Sequence, residues 1–181
     1  MGDGEDRNTA AARLRLLRDE FTTPVVRRDL SPPSRSPHGP PPAPANLDIL
    51  DYMAACRDEV IEHTRTTAPA AGPAPTEPAA VYEWMHQHTA HLAPEQRMVR
   101  DAMVLRQGLE HALAMGDEDA IRWEACPRCA CWGLFWREEE KRVFCANSKC
   151  EDRRGQPSMW TLAQLAERSV AARNTRSRTA T

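Results

Sequence analysis

With 181 residues, a net charge of −2 and no long apolar run, the chain has neither a global field for nucleic acid or anionic membrane nor a candidate membrane span. Hydrophobic residues make up 41%, but alanine supplies much of that share and aromatics only 6%, so the core is thinner than the percentage implies. Nearly all the cations are arginine, with Lys141 and Lys149 the only lysines; alongside abundant alanine and proline, this reads as a GC-rich coding origin before it reads as a phosphate-binding preference.

The opening MGDGEDRN is acidic and lacks an apolar region, so a secretory signal is not expected, and Asp6 breaks the myristoylation pattern that Gly2 would begin. A cytoplasmic protein is expected, in which clustered thiols stay reduced and serve as metal ligands. Residues 1–24 form an N-terminal helix and tail: Asn8 is placed to cap, Leu14, Leu17 and Phe21 recur at helical spacing, and Pro24 ends the run. Residues 25–45, with LSPPSRSPHGPPPAP, read as a disordered proline-rich linker.

A helix over 46–66 follows, with Asn46 as N-cap and an apolar stripe of Leu47, Leu50, Met53, Ala54, Val60 and Ile61. Cys56 lies within it and reads as a packing side chain. Residues 67–78 are a second Pro/Ala-rich linker, expected to be disordered. The helical region 79–122 carries Val81, Trp84, Met85, His88 and Leu92 on one face of its first helix. Pro94 opens a second helix whose Met98, Ala102, Leu105, Leu109 and Ala112 alternate at four and three, with Gly116 placed to end it. His86, His88 and His91 cannot converge on one helix, so they are not read as a metal site.

Residues 123–167 hold five of the six cysteines. Cys126 and Cys129 are separated by two residues, Cys145 and Cys150 by four, and fifteen residues lie between the pairs. Each pair can close a loop that aims backbone N–H groups at thiolate sulfur, and the intervening length suits a β-hairpin that brings both loops to one ion. Trp132, Leu134 and Trp136 alternate, REEEK makes a polar turn, RVF returns, and SMW offers a third strand before a helix at TLAQLAER. The spacing therefore resembles a zinc ribbon with one structural Zn2+ on Cys126, Cys129, Cys145 and Cys150. Ribbon knuckles usually carry glycine after the second cysteine, where φ is positive; here the residue is Ala130. Cys131 is surplus. It is expected beside the metal as a small packing residue, with two alternatives: a ligand in place of Cys129, or a redox-active thiol.

The expected fold is thus mainly α-helical with a small C-terminal zinc ribbon, a β-hairpin plus a helix, followed by a basic disordered tail over 168–181. The stretches CPRCACWGLFW and SMWTLAQLA resemble small zinc-ribbon proteins of actinobacteria and their phages, a resemblance confined to about residues 123–162 that implies an origin and no activity.

Four thiolates leave no position for water or substrate, and no nucleophile–base pattern is present, so a non-enzymatic protein is expected. Three readings stay open. In the first, the ribbon contacts DNA or RNA through Arg137, Lys141, Arg142, Lys149, Arg153 and Arg154, with Trp132 and Trp136 for stacking. The second is a scaffold that binds a protein partner around structural zinc. The third is a zinc–thiol redox sensor built on Cys131.

Overall fold

The computed structural model describes residues 47–179. The N-terminal helix, the linker over 25–45 and the Asn46 cap lie outside the described residues.

Among the described residues five helices and three strands follow in order: α1 Leu47–Thr67, α2 Pro78–Thr89, α3 Pro94–Ala114, α4 Asp119–Arg122, β1 Leu134–Arg137, β2 Arg142–Cys145, β3 Met159–Trp160 and α5 Leu162–Thr179. The architecture is helix-rich, with a small antiparallel sheet of order β1-β2-β3 in the C-terminal part. No helix among the described residues is long and apolar enough to cross a membrane.

Val60 of α1 meets Val81, Tyr82, Trp84 and Met85 of α2, with Met103 and Val104 of α3 packed against them. The buried line of α1 is Cys56, Val60 and Thr64, spaced by four, while Leu50 and Ala54 are exposed. The expected stripe is therefore rotated. Thr64 can lie in the core because its hydroxyl donates to the Val60 carbonyl at 2.7 Å, which removes the cost of an unpaired buried group.

Residues 68–77, expected to be disordered, form a packed connection instead. Ala68 is buried, and Ala71 and Ala74 lie against the α1–α2 cluster. Proline fixes φ at several positions, and the small alanines fit close to the helices, so little chain entropy opposes the packing.

Helix α3 ends as its sequence suggests. Gly116 takes a φ of 76°, its N–H donates to Leu113 at 2.9 Å, and the Asp117 N–H reaches Ala112 at 2.8 Å, a Schellman closure. The Ala102 face of α3 then packs along α5 through Ala166 and Val170. That contact corrects the C-terminal expectation. Residues 168–179 continue α5 as helix, because Ser169 and Val170 extend the buried stripe begun by Leu165 and Ala166. Arg173 also donates to Glu124 at 2.5 Å.

Alternation in the sheet separates two faces. Leu134 pairs with Cys145 and Trp136 with Val143; these inner residues join Leu109, Ala112, Ile121, Leu162 and Leu165 in one core. The cysteine-bearing stretch therefore shares its core with α3, α4 and α5. On the outer face Phe135 pairs with Phe144, their rings 5.7 Å apart and stacked.

Candidate metal centre

Cys126 and Cys129 lie in the loop between α4 and β1, Cys145 ends β2, and Cys150 lies in the loop before β3. The first loop is tied by the Cys126 N–H to the Cys131 carbonyl at 3.0 Å and by the Ala130 N–H to the Cys126 carbonyl at 2.9 Å. Its closure puts Ala130 at a φ of 56°, the left-handed conformation anticipated for this position. The second is closed by the Cys150 N–H on the Asn147 carbonyl at 2.8 Å. Arg128 joins the two, donating to the Glu151 carbonyl and to Ser158 Oγ, the latter at 3.0 Å.

The four sulfurs lie within 4.8 Å of one another. Cys126 Sγ is 3.7 Å from Cys150 Sγ, and Cys129 Sγ is 3.7 Å from Cys145 Sγ. A tetrahedral ion with metal–sulfur bonds of about 2.3 Å has sulfur–sulfur edges of about 3.8 Å, so the cage fits one ion. The donors suit the task too. All six cysteines are free of disulfides, and Cys126, Cys145 and Cys150 are buried.

Burial pushes the Cys145 thiol up to about 12 and raises Cys126 as well. Cys129 is held down at about 6, chiefly by the backbone N–H of Cys131. The Arg128 N–H also points at Cys126 Sγ, at 3.4 Å. Backbone N–H groups directed at sulfur stabilise the charged thiolates a metal needs.

Cys131 is exposed, with Asn147 Nδ2 3.6 Å from its sulfur. It is not one of the four converging cysteines, and its side chain does not fill the core as the packing expectation had it. Its backbone carries its contribution, since its carbonyl and N–H both close the knuckle. Cys56 is buried in α1, beside Gln107.

Comparison with protein-family models, with curated proteins and with solved structures gave no match to this chain.

The nucleic-acid candidates fall into separate groups. Arg137 and Arg142 pair across the hairpin on the outer sheet face, and Arg154 lies in the loop before β3. Arg137 stacks over Phe144 at 4.8 Å and bonds Glu140 at 2.6 Å. Lys141 is paired with Glu138 at the turn. Lys149 and Arg153 are exposed. Trp136 faces the core and donates to Glu138 at 2.6 Å, so it is not a free stacking platform, whereas Trp132 is 67% exposed.

Sequence reading missed Arg122, which lies over Phe135 at 5.2 Å, and the Phe135–Phe144 pair itself. The alternation of Leu134 and Trp136 along the strand places Phe135 on the opposite face from them, and that signal was available. Arg128 was likewise missed, and Arg168 was read only as part of the basic tail, because the knuckle and the helix that carry them are far apart in sequence.

Proposed function

We propose that residues 123–167 form a zinc ribbon around one structural Zn2+, and that the protein is a non-enzymatic accessory factor that contacts nucleic acid. Cysteine knuckles, a hairpin of matching length and the sulfur cage support zinc as the resident ion; when bound, it supplies cross-linking and no chemistry, since four thiolates complete its shell. The free thiols support a cytoplasmic setting.

The observation that carries the nucleic-acid reading is the outer sheet face. There a stacked phenylalanine pair lies beneath the guanidiniums of Arg122 and Arg137, with Arg142 beside them. Aromatic rings and arginines on one small sheet are the chemistry of base stacking combined with phosphate contact. The test is binding of labelled oligonucleotides by the zinc-loaded full chain across a salt series. Affinity that falls steeply with salt supports the reading, and no binding at low salt removes it.

A second reading has its own observation. Trp123 and Trp132 are 71% and 67% exposed, and large exposed aromatics favour protein interfaces. It predicts a partner that is retained at high salt and lost when both residues become alanine.

A further inference from the structure

Beside the β3 edge lies an open concavity of about 730 Å³ with a marked charge imbalance. Five arginines line it: Arg128 from the first knuckle, Arg137 and Arg142 from the hairpin, Arg154 from the loop before β3, and Arg168 from α5. The carboxylates on its wall are Glu140 and Asp152. Both are engaged. Glu140 accepts from Arg137, and Asp152 accepts the backbone N–H groups of Arg154 at 2.7 Å and Gln156 at 3.0 Å, which hold its carboxyl below the usual range.

Among the described residues, Arg142 and Arg168 form no ion pair, and both are exposed. In a chain of net charge −2, an excess of three positive charges in one hollow does not follow from overall basicity. Half-buried Trp160 and Met159 contribute apolar surface to the same wall.

We infer that this hollow is the phosphate track for a single-stranded nucleic acid, with Arg142, Arg154 and Arg168 on successive phosphates and the strand leading onto the Phe135–Phe144 face. The inference rests on the nucleic-acid reading above and names its surface and its ligand. Two features select a single strand. The site is concave and open, so it receives an extended backbone and presents no protruding element to a duplex groove. The hairpin turn beyond the hollow carries exposed Glu138 and Glu139, which repel a phosphate backbone and so disfavour a duplex laid across the turn.

The experiment measures anisotropy of labelled oligothymidylate with the zinc-loaded full chain over a salt series. Wild type is compared with R142Q/R154Q/R168Q and with a control, R65Q/R97Q, at exposed arginines of α1 and α3 that lie outside the hollow. Metal content and melting of each variant are checked first; if the triple variant fails to fold, R154Q and R168Q are measured singly. Removing three contacts should cost roughly tenfold or more in affinity at low salt and lower the salt slope by about two, at about 0.7 per phosphate. The control should bind like wild type, and a duplex should bind more weakly than the single strand.

If the triple variant binds like wild type, the surface is wrong although the nucleic-acid reading stands. Tighter binding to duplex than to single strand overturns the choice of ligand. So does a preference for anionic vesicles or a phosphopeptide over oligothymidylate. A wild-type protein that binds no oligonucleotide defeats the underlying reading and this inference with it.

Discussion

Ala130 holds a left-handed backbone conformation directly after Cys129 of the sulfur cage, with its side chain exposed. Glycine accepts that conformation without steric cost, while an L-residue is penalised by about 1–2 kcal/mol. Ala130→Gly should therefore stabilise the metal-loaded fold by about 1 kcal/mol after the extra chain entropy of glycine is deducted, read as a higher melting temperature. A lower one would mean that the turn draws on Ala130 in some other way. Cys131 is the contrasting case. Its backbone closes the knuckle while its sulfur faces solvent, so Cys131→Ser should keep the metal content of wild type in elemental analysis. Loss of metal would put Cys131 in the ligand shell. If Cys131 is a redox thiol, mild peroxide should eject metal from wild type much more readily than from this variant. Equal loss from both would end the redox reading. The four cysteines that converge were legible because knuckle spacing is a local property of sequence. The direction of the fifth thiol depends on hydrogen bonds across the turn, which spacing does not encode.

Between elements, the decisive residue is one that no periodicity selects. Gln107 is buried on α3 and ties three helices together. Its Nε2 donates to the Cys56 carbonyl at 3.3 Å and to Glu59 at 2.7 Å, and its Oε1 accepts from Tyr82 at 2.8 Å. The Tyr52 hydroxyl donates to the Gln107 carbonyl at 2.8 Å. Gln107→Met keeps the volume but strands the Tyr82 hydroxyl, at a cost of about 1–3 kcal/mol in chemical denaturation. Adding Tyr82→Phe should recover much of that loss; no recovery would show that the amide acts mainly through Glu59 and Cys56. A search for apolar periodicity passes over glutamine and threonine, which is why Gln107 and Thr64 were not foreseen in the core, whereas Cys56 and Val60 were read as packing residues and are buried. The α3 stripe was legible because its alternating four–three spacing is strict and Gly116 marks its end. The length of α5 was not. Its last turns are arginine-rich, and the outcome is decided by Val170 meeting Ala102 of α3, a contact distant in sequence, with Ser169 buried beside it in the chain.

Across the described residues, the sulfur cage, the sheet and three helices share one core, so binding of an ion in the cage would be linked to folding. The link carries a pH dependence of definite sign. With the thiols of Cys126 and Cys145 raised by burial, both carry protons at neutral pH in the metal-free fold, and a metal must displace them. Cys129, held down at about 6, is already largely thiolate there. Zinc affinity should therefore climb as pH rises through the neutral range, by up to about tenfold per pH unit for each proton displaced. Competition with a chelator at several pH values measures this; an affinity independent of pH would show that the thiols are ionised before metal arrives.

Elemental analysis of the full chain purified under reducing, metal-replete conditions, paired with melting of Cys145→Ser, tests most directly whether one ion on four sulfurs holds the C-terminal half together. The expected result is one zinc per chain in wild type, with metal loss and a markedly lower melting temperature in the variant. Protein without stoichiometric metal, or a Cys145→Ser variant that melts like wild type, would contradict it.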